Sequence, residues 1–171
     1  RFVVFHSHAS NLVPGDDNDH VDIFRYEIYN TSPVDANSTG RLTRLSVTAQ
    51  GRDSNGGSFY PVISGDGSRV AFESHASNLD ENVTTSGKNI YLWSESIAQE
   101  IVSNEKLSGG NIQVIAAGNA DSFDPDISGD GTRVVFTTFA NDLVDGETDN
   151  NKNSDIVLWE NGNYFYAGRT H

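Results

Sequence analysis

Residues 61–72 read Pro-Val-Ile-Ser-Gly-Asp-Gly-Ser-Arg-Val-Ala-Phe, and residues 125–136 repeat them as Pro-Asp-Ile-Ser-Gly-Asp-Gly-Thr-Arg-Val-Val-Phe. The two stretches start 64 positions apart, and a Ser-Phe pair precedes each of them, at 58–59 and 122–123. In both, an apolar segment runs into Gly-Asp-Gly, which supplies the positive φ of a tight hairpin turn, and a second apolar segment follows. The chain is therefore predicted to consist of repeated units that each open with a β-hairpin.

Two further landmarks recur along the chain and extend the repeat to three copies. The first landmark is His-Ala-Ser-Asn-Leu or a looser version of it, at residues 8–12, 75–79 and 139–143. The second landmark is an apolar run, at residues 22–26, 89–93 and 155–159. This run is rich in β-branched and aromatic residues, which is typical of a buried strand. The chain is therefore predicted to hold three copies of one unit, the first of which lacks its opening.

A fourth strand in each unit is predicted from weaker segments. These segments are residues 42–47, 99–103 and 163–167. The second copy also carries an insertion, residues 111–118, whose Ile112, Val114 and Ile115 are expected either to form another strand or to pad the core. Apolar residues on both faces of several strands indicate sheets that are buried on both sides, and no segment shows a helical period of useful length.

These elements predict an all-β protein made of β-propeller blades, each with four antiparallel strands and about 64 residues. We predict a partial blade at 1–57, a blade at 58–121, and a third blade at 122–171 that ends near its last strand. Because propellers usually close with four to eight blades, fewer than three complete blades predict a partial or open propeller. We expect either a piece of a longer propeller or a chain that completes itself by association.

The hairpin motif Pro-x-x-Ser-x-Asp-Gly-x-x-Val-x-Phe resembles the blade motif of the WD40-like (PD40) β-propeller repeats, the group that includes the TolB C-terminal domain. Residues 9–16, Ala-Ser-Asn-Leu-Val-Pro-Gly-Asp, through the Asp-Ile-Phe of 22–24 resemble a bacterial and archaeal extracellular branch of that family. The resemblance covers nearly the whole chain. It implies a propeller located outside the cell or in the cell envelope. It does not imply a single activity, because such blades serve in envelope complexes and as gating domains of peptidases.

The composition excludes several classes of function. The chain has 24 acidic and 11 basic residues and a formal net charge of -13, which is the opposite of the basic surface that binds nucleic acid. No apolar run approaches the roughly 18 residues that a membrane-spanning helix needs. Because there are no cysteines, disulfides, thiolate nucleophiles and cysteine-based zinc sites are excluded.

The loop before the third strand of the last copy carries the best candidate site. It reads Asp-x-Asn-x-Asn-x-Asp, with oxygen ligands at Asp149, Asn151, Asn153 and Asp155. Alternating oxygen ligands in a tight loop suit Ca²⁺, which takes six to eight hard oxygens.

The first copy keeps a reduced version of this pattern, and the second copy loses it. In the first copy the predicted calcium ligands are Asp16, Asn18 and Asp22, whereas Asn89 replaces the strand-leading aspartate in the second. The alternative is that these loops are solvated turns in which Asp and Asn side chains bind the local backbone.

No catalytic motif is found, so the chain is predicted not to be an enzyme. It contains neither a Gly-x-Ser-x-Gly elbow nor a phosphate-binding loop, and the spacing of Ser, His and Asp selects no triad. We expect a secreted or envelope-associated scaffold or binding module, stiffened by calcium, with a protein partner or a second copy as its ligand. One alternative is a structural subunit that assembles through exposed blade edges, and another is the accessory propeller of a larger hydrolase.

Overall fold

The chain forms three antiparallel β-sheets in the computed structural model, which describes residues 1–29, 40–83, 85, 87–96, 110–146 and 153–168. No helix occurs among these residues, which confirms the all-β prediction. Blade 1 contains β1 (Phe2–Ser7), β2 (Asp22–Ile28) and β3 (Gly40–Arg44). Blade 2 contains β4 (Ser58–Ile63), β5 (Arg69–Ser74), β6 (Asn89–Glu95) and β7 (Gly110–Ala116). Blade 3 contains β8 (Ser122–Ile127), β9 (Arg133–Thr138), β10 (Asp155–Glu160) and β11 (Asn163–Gly168).

Within each blade, strands that are consecutive in the chain are neighbours in the sheet. The three sheets lie within the predicted ranges 1–57, 58–121 and 122–171. They stack face to face as blades of a partial propeller. The part of the chain described by the structure offers no helical segment of the length and hydropathy required to cross a bilayer.

The repeated hairpin motif forms the turn between the first two strands of blades 2 and 3. In blade 2 the turn closes with a hydrogen bond from Gly67 N to Ser64 O at 3.0 Å, and Gly67 has a φ of +77°. A Cβ at this position would lie 2.0 Å from the Phe2 ring, so the position requires glycine for its space as well as its conformation. The Asp66 carboxylate accepts hydrogen bonds from Ser68 N and from the Ser64 hydroxyl, and these bonds lower its pKa to about 2.

The outer strands differ from two of the three predictions. In blade 2 the strand next to β6 is β7, formed by the insertion that was expected to be another strand or core padding, and the predicted fourth strand at 99–103 lies outside the described residues. In blade 1, β3 covers Gly40–Arg44, so the predicted strand at 42–47 was wrong at its end. Leu45 N still donates to Ile23 O of β2 at 2.8 Å, and the chain then turns, with Val47 N donating back to Leu45 O at 2.8 Å. In blade 3, β11 confirms the predicted strand at 163–167.

Each blade has two faces, which we call the A face and the B face. The A face of blade 2 carries Val70, Phe72, Tyr91 and Trp93, and it packs against blade 1. Its B face carries Ala71, Ile90 and Leu92, and it packs against blade 3. Both faces of the middle blade are therefore buried, as the apolar pattern predicted. The A face of each following blade covers the B face of the blade before it.

Hydrogen bonds join the blades along their inner strands, and they recur at both junctions. Ser58 N at the start of β4 donates to Val21 O, and Ser122 N at the start of β8 donates to Lys88 O, both at 2.8 Å. The turns of blades 2 and 3 are also linked, by Gly65 N donating to Gly129 O at 2.8 Å. The two junctions are therefore built by the same backbone geometry.

Candidate functional site

The loop that leads into β2 brings two of its predicted calcium ligands together. Asp16 and Asp22 are both buried, and both lie beside the guanidinium of Arg44. The Arg44 Nη1 atom is 2.7 Å from Asp16 Oδ1 and 3.5 Å from Asp22 Oδ2. The Nη2 atom donates to Gly15 O at 2.8 Å and to Asp53 Oδ1 at 2.6 Å. We call Asp16, Asp22, Arg44 and Asp53 the Arg44 cluster.

Strand pairing explains why these side chains meet. Asp22 is the first residue of β2 and Arg44 is the last residue of β3, which pairs with β2 in antiparallel register. Ser46 fixes the aspartate, because its hydroxyl donates to Asp22 Oδ1 and accepts from Ile23 N at 3.0 Å. Burial raises the pKa of Asp22, and the hydrogen bond from Ser46 and the positive charge of Arg44 act against this rise.

Asn18, the third predicted ligand of this loop, is part of a polar turn. Its side-chain oxygen accepts from His20 N at 2.9 Å, and its amide donates to the backbone oxygen and hydroxyl of Ser54, each at 3.3 Å. The contact with His20 matches the alternative in which the loop's polar side chains bind the local backbone, whereas the contacts with Ser54 tie the turn to a distant loop. The first loop therefore combines a polar turn at Asn18 with an ion cluster at Asp16 and Asp22.

The corresponding loop of blade 3 is only partly described. Asp149 and Asn151 lie outside the described residues. Asn153 is exposed, and Asp155 is buried at the start of β10, where it pairs with Thr138. Among the residues that the structure does describe, no three His, Asp or Glu side chains are arranged so that they could hold a metal ion. Calcium binding stays a prediction for both loops, and in the first loop Arg44 already supplies positive charge.

In the equivalent region of blade 2, neutral side chains take the positions of Asp22 and Arg44, and the Asp80 carboxylate accepts from a backbone N–H. Asn89 stands where blade 1 has Asp22, and its amide donates to Gly87 O at 3.1 Å. Val114 stands where blade 1 has Arg44, and its backbone N donates to Asp80 Oδ2 at 2.7 Å. The hydroxyl of the buried Tyr91 donates to Ala76 O, and burial raises the pKa of this tyrosine well above its usual value.

A cluster of rings lies where β4 meets blade 1. The rings of His6 and Tyr60 are 5.6 Å apart, and those of Phe59 and His75 are 6.3 Å apart. Tyr60 has a φ of +50°, and its N–H donates to His6 Nδ1 at 3.3 Å. Blade 3 repeats this bulge at Asp124, whose φ is +53° and whose N–H donates to Glu73 Oε2 at 3.2 Å. The unusual backbone is thus a feature of the repeat.

Apolar side chains are exposed on the outward faces of the two end blades. On the A face of blade 1, Val3 is 49% exposed. On the B face of blade 3, Ile156 is 46% and Phe165 is 49% exposed. We call these two surfaces the end faces. Ile156 and Phe165 share one face, and exposed apolar side chains that lie together in this way are typical of interaction surfaces.

Sequence reasoning missed two members of the Arg44 cluster, Arg44 itself and Asp53. The available signal was an arginine within the apolar segment 42–47, at the register position opposite Phe24 on the A face of blade 1. Asp53 gave no such signal, because it reaches the cluster through the loop that follows β3. No protein-family model and no curated protein matches the chain.

Proposed function

We propose that this chain is a non-catalytic β-propeller module that acts as a protein-binding scaffold, secreted or associated with the cell envelope. The single observation that carries the proposal is the pair of end faces, with Val3 on one and Ile156 and Phe165 on the other. Large apolar side chains on a flat sheet surface bind other proteins better than they bind small polar ligands.

Rigid junctions between the blades support a scaffold role. Arg25 of blade 1 is buried between the rings of Phe2 and Trp93, with its guanidinium carbon 4.8 and 4.6 Å from the ring centroids. It donates to Gly67 O of blade 2 at 2.7 Å and pairs with Glu95 at 2.7 Å. Such charge-assisted contacts in buried surroundings are directional, so they fix one blade against the next.

The second junction contains the same kind of connection. Arg69 of blade 2 donates to Gly131 O of blade 3 at 2.8 Å. Glu73 of blade 2 is buried at this junction, accepts from Asp124 N of blade 3 at 3.2 Å and is neutralised by Lys88 of its own blade at 2.9 Å. A stack that is fixed at both junctions holds its end faces in a constant relation, which suits a module that presents surfaces to partners.

The proposed location rests on the resemblance to PD40 repeats and on the charge of the chain. A net charge of -13 favours solubility at high concentration and disfavours contact with nucleic acid. Calcium at Asp149, Asn151, Asn153 and Asp155 is part of the proposal, supported by their alternation of oxygen ligands.

Site-specific photo-crosslinking in the cells that produce the protein tests the binding role. A crosslinking amino acid is placed at Val3 or Phe165, and the control carries it at Tyr60, which is 58% exposed but lies on neither end face. We expect crosslinks to protein from Val3 and Phe165 and few from Tyr60. Absence of crosslinks from both end faces contradicts the proposal.

A further inference from the structure

We propose that two copies of this chain associate head to tail, with the A face of blade 1 in one copy packed on the B face of blade 3 in the other. This inference rests on the proposed function, since it names the partner of the end faces. The same A-to-B packing already occurs twice within the chain, at both blade junctions. The end faces are therefore continuous with an established mode of contact.

The A face of blade 1 carries the same kinds of side chains as the A faces that are buried. Strand register aligns the four positions in all three blades. In blade 1 they are Val3, Phe5, Phe24 and Tyr26. In blade 2 they are Val70, Phe72, Tyr91 and Trp93, and in blade 3 they are Val134, Phe136, Val157 and Trp159. A valine, a phenylalanine and a terminal aromatic residue occur in each set.

The B face of blade 3 matches the B face of blade 2 in the same way. Val135, Ile156 and Leu158 of blade 3 correspond to Ala71, Ile90 and Leu92 of blade 2. Phe165 on the adjacent strand β11 is paired with Leu158 and extends the apolar surface.

Exposure separates two positions of the end faces from their buried counterparts, whereas Phe24 of the A end face is itself fully buried. Val3 is 49% exposed, whereas Val70 and Val134 at the same position are fully buried. Ile156 is 46% exposed, whereas Ile90 is fully buried. The same side-chain types are thus covered wherever a neighbouring blade is present, so a blade of this repeat is the occupant whose chemistry fits.

A second copy supplies the complementary surface that each end face needs. The A face that packs on blade 2 carries residues of β9, β10 and β11, and Ile127 of β8 lies beside them. Blade 1 contains β1, β2 and β3 in the places of β9, β10 and β11, so its A face has these positions apart from the one that Ile127 fills. Because the two end faces differ, the contact is heterologous, and repeated association produces a ring or an open chain.

Charge makes this association depend on salt. Each copy carries a formal charge of -13, so two copies repel each other at low ionic strength. At about 1 M salt the screening length falls to about 3 Å, which leaves the apolar contact dominant. We therefore expect association to increase with salt.

The test measures the mass of the purified chain in solution by light scattering and sedimentation at about 1 M salt. One variant, Val3→Asp, disrupts the A end face, and another, Ile156→Asp, disrupts the B end face. We expect the unmodified chain to associate and each variant alone to be a monomer. An equimolar mixture of the two variants is expected to form dimers, because the mixture retains one intact A face and one intact B face.

Tyr60→Asp is the matched control, because Asp124 occupies the equivalent position of blade 3, and it is expected to associate like the unmodified chain. Circular dichroism and the melting temperature check that each variant folds, and Phe165→Asp provides a second change on the B face. A monomeric unmodified chain, a single variant that still associates, or a mixture that stays monomeric overturns the inference. If the chain is monomeric but Phe165 crosslinks to a different protein, the proposed function stands and this inference alone fails.

Discussion

Blade 1 and blade 2 close the same region of the repeat with opposite chemistry. In blade 1 the Arg44 guanidinium lies among three carboxylates, those of Asp16, Asp22 and Asp53. In blade 2 the position of Arg44 is taken by Val114 and that of Asp22 by Asn89. The three strands of blade 1 pair in the same order as the last three strands of blade 2. The comparison shows that the repeat accommodates either a cluster of charged side chains around Arg44 or an Asp80 carboxylate bound to a backbone N–H.

Among the changes that test this comparison, replacing Arg44 with valine is expected to cause the largest loss of stability. The change leaves two buried carboxylates, those of Asp16 and Asp22, without their cation, and breaking a buried ion pair from one side costs about 3–5 kcal/mol. Denaturant unfolding measures the loss. The control is Arg133→Val, which removes an exposed pair with Glu160 and is expected to cost at most about 1 kcal/mol. Equal losses for both variants contradict the importance of the Arg44 cluster.

Placing the neutral side chains of blade 2 at the equivalent positions of blade 1 is expected to recover most of that stability. The triple variant Asp16→Val, Asp22→Asn, Arg44→Val takes the residue types found at Val83, Asn89 and Val114. Because the removed charges include both buried carboxylates, the effects of the three changes are expected to be strongly non-additive. Unfolding free energies of the single, double and triple variants measure the coupling. A triple variant as unstable as Arg44→Val alone shows that unpaired buried charge is not the cause of the stability loss in Arg44→Val.

Calcium is expected to bind the loop before β10 in blade 3 and not the Arg44 cluster of blade 1. At a concentration ten times its Kd, a bound ion adds about 1.4 kcal/mol, seen as a rise of the melting temperature that a chelator reverses. Asp149→Ala is expected to abolish the rise, whereas Asp16→Asn is expected to leave it unchanged because Arg44 occupies that cluster. A melting temperature that is the same with calcium and with chelator rejects the calcium prediction for both loops.

Two kinds of aspartate are expected to change the free energy of unfolding with pH in opposite directions, by less than the substitutions above. The pKa values of Asp66 and Asp130 are lowered from 3.8 to about 2, so their contribution to stability is present above pH 4 and is lost between about pH 4 and 2. The pKa of Asp22 is raised by burial, so the folded state loses stability as the pH rises from about 4 through that pKa. Unfolding free energies of Asp66→Asn and Asp22→Asn across this range measure both slopes. Slopes of the same sign contradict the assignment.

The hairpins could be predicted from the sequence because their cause is local. Gly67 and Gly131 occupy turn positions that need positive φ, and the flanking apolar residues belong to the same short segment. The outer strands were harder to predict from the sequence, because the segment that forms each of them is decided by pairing with the preceding strand. Residues 110–116 pair with β6, whereas the sequence pattern assigned the fourth strand to 99–103 and treated 111–118 as an insertion.

The candidate site could be predicted only in part, for a similar reason. Asp16 and Asp22 were found because they lie in one loop with regular spacing. Arg44 and Asp53 reach them through strand pairing and a second loop, and no sequence pattern connects these positions. Asn18 shares the spacing of a ligand, but its oxygen is engaged by the backbone of His20. Spacing alone identified two residues that lie close together, but it did not show whether they bind a metal ion, an arginine or the backbone.

The bulge in the inner strands has a consequence for aggregation. β4 and β8 are edge strands, and exposed edges invite other chains to add a strand and grow into fibrous aggregates. At the bulge, the N–H groups of Tyr60 and Asp124 turn sideways to the neighbouring blade, and Pro61 and Pro125, which follow them, have no N–H to offer. An incoming strand therefore meets an interrupted row of donors at the middle of β4 and of β8. The bulge thus protects these two edges against amyloid-like growth.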